Sequence, residues 1–234
     1  MLSKTAKGKG DPEVMKKIQI SAMTMAVMVL GVQAAWKVQS GPDGRMVNYG
    51  PTCALEKGPD GRMVCVPDGW KAENGPDGRL IEIPPGGRGE YGPDGRMIAV
   101  PDGWSFQTGP DQRGVAIPPG GTTVVGPDQR MIAVPKGWNY EIGSDQRAVA
   151  APPDGKLISG GDNRLAAVPK GWTYREGADR RIVALPPDSE YTEGPDGHIV
   201  PQPPDDYRTD DYMMYYFILQ LQAITALDEA DELQ

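Results

Sequence analysis

Residues 126–142 read GPDQR-MIAV-PKG-WNYEI, and the reading of this stretch decides the fold. Gly-Pro-Asp-Gln is turn chemistry: the proline ring presets φ, and the Asp side chain bonds back to its own backbone. Met131, Ile132, Ala133 and Val134 follow with no polar side chain among them. Pro135-Lys136-Gly137 makes a second turn, after which 138–142 alternate polar and apolar. The unit reads as short strand, turn, second short strand, turn.

The same seventeen-residue unit recurs ten times without a gap from 41 to 210. Gly heads every copy, from Gly41 to Gly194, and the third position is always Asp, from Asp43 to Asp196. The fifth is Arg in nine copies, from Arg45 to Arg181, with His198 in the last, and Pro fills the tenth in nine, from Pro67 to Pro203. A fixed period of this kind marks a quasi-one-dimensional repeat architecture.

The two strands differ in their burial. Positions seven and nine are large or β-branched, as in Val64/Val66, Ile98/Val100 and Ile132/Val134, while six and eight are often Met and Ala, as in Met97/Ala99. A strand apolar on both faces needs cover on both. The second strand is expected to bury mainly position fifteen: Leu55, Phe106, Tyr140, Leu157 and Tyr174. One copy cannot cover its own first strand, so either neighbouring copies stack in one chain or several chains wrap together. Trp70, Trp104, Trp138 and Trp172 occupy position thirteen of alternate copies, and Gly87, Gly121, Gly155 and Ser189 stand there in most others. The working unit is then either one copy of 17 residues or a pair of copies, 34 residues, with large and small side chains alternating across a contact.

The plan carried by Met131–Val134, residues 138–142, their turns and the equivalents in nine other copies resembles the triple β-spiral shafts of viral and bacteriophage fibres. The resemblance covers residues 41–210. It implies a homotrimeric stalk on a virion surface, one end docked and the other displaying a tip. The repeat here is longer than the usual shaft repeat, the 34-residue alternation is not part of that pattern, and no segment reads as a globular head.

The flanking segments differ in character. Residues 1–40 combine a basic arm (Lys4, Lys7, Lys9, Lys16, Lys17) with an apolar stretch at 18–36 that carries no charge. That stretch is expected to be a helix, either a membrane anchor or, through Ile20, Met23, Val27, Leu30 and Ala34, a heptad seam for a bundle. A signal peptide fits less well, because the leading region is long and contains acids. Residues 211–234 lack Pro and Gly and predict an amphipathic helix with a stripe through Met214, Phe217, Leu221 and Ile224.

The chain as a whole carries a net charge of −8, which disfavours a phosphate-neutralising surface, so no nucleic-acid partner is expected. Cys53 and Cys65 are the only cysteines. The reading taken is two small buried thiols, with a local disulfide as the alternative.

No residue is assigned a catalytic, cofactor-binding or metal-ligating role. The Asp/Arg pairs, such as Asp94/Arg96 and Asp128/Arg130, could suggest a cation ladder, but each copy offers one dependable Asp where calcium takes six or more oxygens. They read as capped turns whose Arg pairs with its own Asp or with the next copy. The Trp column reads as packing, with sugar stacking as the alternative. His198 has no nucleophile recurring near it, and Pro118-Pro119-Gly120-Gly121 lacks the Gly-Lys-Ser/Thr of a phosphate loop.

Together these readings predict a mainly β protein, an elongated shaft or solenoid flanked by two helices. The function expected is a non-enzymatic structural part of a virion or phage fibre, self-associating as a trimer and docking other structural proteins through its termini. A membrane-anchored surface or envelope repeat protein is one alternative, and a spacer subunit of a larger assembly is another.

Overall fold

A computed structural model describes residues 35–204. The expected helices at 18–36 and 211–234 therefore lie almost wholly outside the described residues. Among the latter the chain is β-structure throughout: ten antiparallel hairpins, each an isolated two-stranded sheet.

Each hairpin is built across the Gly-Pro-Asp-x-Arg turn, not across the Pro-x-Gly turn. The sixth pairs Thr122–Val125 with Met131–Val134, and the seventh pairs Asn139–Ile142 with Ala148–Ala151. The two strands of one seventeen-residue copy thus belong to different hairpins. The structural unit starts at position thirteen of one copy and ends at position ten of the next. Lys37–Ser40, which the sequence reading placed in the N-terminal arm, is accordingly the outer strand of the first hairpin, paired with Met46–Tyr49.

The turn dictates this choice. In the sixth copy Gln129 N–H donates to the Gly126 carbonyl at 3.0 Å, and Gly126 N–H donates to the Arg130 carbonyl at 2.8 Å. That is a type I turn followed by a left-handed residue, a connection whose twist suits an antiparallel pair. The left-handed residue is Gly in copies such as Gly44 and Gly95, but Gln112, Gln129, Gln146, Asn163 and Arg180 adopt the same conformation at φ 64–69°.

Burial follows the strand type. Met131–Val134 is buried at every position, whereas Asn139–Ile142 is exposed at every position. The faces interlock in one direction around the stack. Ile132 and Val134 of the sixth hairpin pack on Ala148 and Ala150 of the seventh. Val115 of the fifth packs on Met131 and Ala133 of the sixth. Positions seven and nine of each inner strand thus meet six and eight of the next, so a strand apolar on both faces is covered by its two neighbours in the same chain. Fully burying one Val or Ile side chain contributes roughly 1.5–3 kcal/mol.

The stack closes on itself. A Cβ on Gly58 would lie 3.2 Å from Leu80 of the next hairpin, and one on Gly143 would lie 3.3 Å from Leu165. The same relation holds between the last copy and the first, where Gly194 faces Met46 Cγ at 3.2 Å. Asn48 in the first inner strand donates from Nδ2 to the Pro201 carbonyl in the last, at 2.7 Å. The described residues are therefore a single-chain ring of ten hairpins, and the inner-strand burial that a trimer could have supplied is completed within one chain.

Candidate functional site

Three sets of side chains carry chemistry: the turn ladder at one rim of the ring, the tryptophan series at the other, and one acid between inner strands.

In the turns, every Asp of the third position has the same task. Its Oδ1 accepts from the backbone N–H of the fifth residue, at 3.1 Å for Arg96 on Asp94 and 3.1 Å for Arg130 on Asp128. In the nine copies that carry Arg, its Oδ2 faces the Arg side chain of the same copy, 3.7 Å from Arg96 Nε and 3.6 Å from Arg130 Nε. Adjacent turns are also joined. Asp94 N–H donates to the Gln112 carbonyl at 3.3 Å, and Asp162 N–H to the Arg180 carbonyl at 3.2 Å. Arg181 Nε reaches back to Asp162 Oδ2 at 4.0 Å. The invariant Gly of position one belongs to the same device: a Cβ on Gly126 would stand 2.6 Å from Asp128 Oδ1.

Substitutions in the ladder are compensated locally. Where Gly or Ala replaces Pro of position two, a backbone N–H is freed and a glutamate accepts it. Gly161 N–H donates to Glu176 at 3.2 Å and Ala178 N–H to Glu193 at 2.9 Å, both from the next hairpin. His198, in the Arg position of the last copy, turns to the preceding copy, with Nδ1 3.1 Å from Asp179 Oδ2. Among the described residues no three of His, Cys, Asp and Glu converge as a cation site would need.

At the Pro-x-Gly rim, Trp70, Trp104, Trp138 and Trp172 each follow a turn closed by their own N–H, as from Trp138 to the Pro135 carbonyl at 3.0 Å. Trp138 packs on Ile132, Val134, Ala148 and Ala150. The series has a fifth member, Trp36, which leads the first hairpin and is 5 % exposed. It lies 34 residues before Trp70, a spacing that was available in the sequence but hidden at the end of the apolar stretch. Tryptophans therefore head alternate hairpins, giving the ring a five-fold pseudo-repeat. Pro118-Pro119-Gly120-Gly121 is the equivalent turn of a hairpin without Trp, with Gly121 N–H on the Pro118 carbonyl at 2.9 Å.

Position fifteen corrects the expected burial. Leu55, Phe106 and Leu157 are half-buried, but Tyr140 and Tyr174 are 47 % and 46 % exposed. Outer strands lie on the longer circumference of the ring, so neighbouring hairpins diverge there and a tyrosine keeps its hydroxyl in water. Tyr191 is covered in part by Arg175 of the preceding hairpin, 5.9 Å above its ring.

Two groups depart from the repeat. Cys53 and Cys65 are joined as a disulfide across the strands of the second hairpin, with Cα atoms 5.6 Å apart, which corrects the reading of two free thiols. The spacing was uninformative because the pairing depends on the hairpin phase. Glu82 stands at position eight of its inner strand, where most copies carry Ala. Desolvation by burial pushes its carboxyl up to about 7, against the lowering effect of a hydrogen bond from its own backbone. Residue surface places Glu82 as half-buried.

No protein family, characterised protein or solved structure matches the chain.

Proposed function

We propose that the protein is a non-enzymatic structural protein, a component of a virion or comparable surface assembly. In this reading the hairpin ring is the rigid body and the segments on either side of it make the attachments. One observation carries it: the residues that recur in every copy hold the ring together. The Asp side chains cap turns and face Arg, the Gly residues admit the neighbouring hairpin, and the apolar pairs interlock. The resemblance to fibre shafts enters as a shared burial plan, completed here by ten hairpins of one chain. Self-association, expected as a homotrimer, then uses the outer strands, where Tyr140, Ile142 and Tyr174 stand exposed, and the terminal segments. Sedimentation of the full chain tests this. A defined oligomer without detergent is expected, and a compact monomer at micromolar concentration would overturn it.

A second reading, a membrane-anchored surface protein, is favoured by the Cys53–Cys65 bond, because disulfides persist in oxidising surroundings. The apolar stretch ending at the first hairpin would then be the anchor, and the protein would leave membranes only in detergent.

A further inference from the structure

We infer that the Pro-x-Gly rim carries a saccharide-binding groove beside the half-buried Trp172, and that this groove takes a carboxylate-bearing sugar. This goes beyond the structural role and does not depend on how the ring is mounted.

The groove lies between the eighth hairpin (Lys156–Ser159 with Leu165–Val168) and the ninth (Thr173–Glu176 with Ile182–Leu185) and encloses about 440 Å³. That is within the range of small-ligand sites. The alternation of large and small residues creates it. Trp172 forms one wall, while the preceding hairpin has Gly155, with no side chain, at the same position. Gly155 is held small by its own turn: a Cβ there would stand 2.9 Å from the Pro152 carbonyl oxygen. Asp154 and Lys156, on either side of Gly155, face Trp172, with Lys170 and Tyr174 completing the lining.

These side chains suit a sugar acid. A half-buried indole offers a flat apolar face on which the C–H face of a pyranose ring stacks, and its surroundings hold the indole plane fixed. Lys170 Nζ lies 3.2 Å from Asp154 Oδ2 with both side chains largely exposed, 75 % and 71 %. A pair so exposed rearranges at little cost. Lys156 has no ion-pair partner among the described residues. The groove therefore holds two cations and one anion within a chain whose net charge is −8. A ligand carboxylate supplies the missing negative charge to Lys156 and Lys170, and Asp154 accepts from ring hydroxyls.

The repeat register extends the argument. Trp138 is preceded by Lys136, in the place of Lys170, and Gly121 stands in the place of Gly155. At Trp104 the place of Lys170 is taken by Asp102, and at Trp70 by Asp68. Thr122, Arg88 and Ala54 stand in the place of Lys156 at Trp138, Trp104 and Trp70, so among these four positions the pair of lysines is found only at Trp172.

The full chain is applied to an immobilised panel of neutral, uronate-bearing and sialylated oligosaccharides. Binding to the acidic members and not to their neutral counterparts is expected. Lys156→Glu, at an exposed position outside any ion pair among the described residues, should weaken it at least tenfold with an unchanged melting temperature, and Trp172→Ala should weaken it as much at some cost in stability. No binding to any member, equal binding to neutral and acidic members, or binding unaffected by Lys156→Glu would each overturn the inference.

Discussion

Asn48 and Pro201 are 153 residues apart in sequence, yet the Asn48 amide donates to the Pro201 carbonyl at 2.7 Å. Both stand at position eight of an inner strand, one in the first hairpin and one in the last. The bond lies on the seam where the ring meets its own beginning, and it has no covalent turn beside it to hold the partners near. Asn48→Ala leaves the buried Pro201 oxygen without this donor and should cost ~1–2 kcal/mol. Hydrogen exchange should quicken first in 46–49 and 199–202. A uniform increase around the ring would show that closure is not the local weak point.

The turn residues in the left-handed conformation give a pair of opposite predictions. Gln129 holds φ at 67° and Gly95 at 80°, in equivalent turns, and nothing lies within 4 Å of where a Gly95 Cβ would be. The difference between them is therefore backbone strain alone. Gln129→Gly should stabilise the ring by ~0.5–1 kcal/mol, and Gly95→Ala should destabilise it by ~1 kcal/mol. Chemical denaturation of the two variants measures both signs.

Glu82 makes stability depend on pH in a direction unusual for a carboxylate. Its carboxyl titrates at about 7 in the fold against 4.5 ordinarily, so the folded state holds a proton that the unfolded chain has released. Raising pH from about 4.5 to about 7 therefore favours unfolding, and above 7 the loss is constant. For a half-buried group the total is on the order of 2 kcal/mol. Glu82→Gln should match the wild type near pH 4.5 and exceed it at pH 8. Parallel stability curves for the two proteins across that range would contradict the desolvation of this side chain.

The disulfide between Cys53 and Cys65 closes a loop with a sequence separation of 12 within the second hairpin. Loop-closure entropy assigns it about 3 kcal/mol of stabilisation by restricting the unfolded chain. Melting with and without a thiol reductant should differ accordingly, and Cys65→Ala should behave like the reduced protein apart from its added cavity.

Trp36 and Trp172 occupy the same repeat position but differ in burial, the former being 5 % exposed and the latter half-buried beside a groove. Trp36→Ala should cost ~3–5 kcal/mol, as for a buried aromatic, and Trp172→Ala markedly less. Equal losses would place both residues in one packing role.

Much of this was legible in the sequence. Turn chemistry in Gly-Pro-Asp-x-Arg, the short strands, and the need of Met131–Val134 for cover on both faces are local consequences of residue type and all appear in the fold. What remained hidden was relational. Whether stacked copies run on or close depends on a small rotation per hairpin that no single residue encodes, so the Asn48–Pro201 contact had no signal. The phase of the hairpins was open because both turns of each copy contain Pro and left-handed residues. Trp36 was concealed because an apolar neighbourhood makes one more aromatic uninformative. Glu82 carried no signal of its own, because its desolvation comes from the strands packed around it.

The alternation of Trp-headed and small-residue-headed hairpins has a consequence for descent. An open stack tolerates gain or loss of a copy at its end, since the end simply moves. A closed alternation does not: removing one seventeen-residue copy would bring two hairpins of the same kind together where the circle joins. Copy number in such a ring can change without a mismatch only in steps of two, so the sizes that keep the alternation are the even numbers.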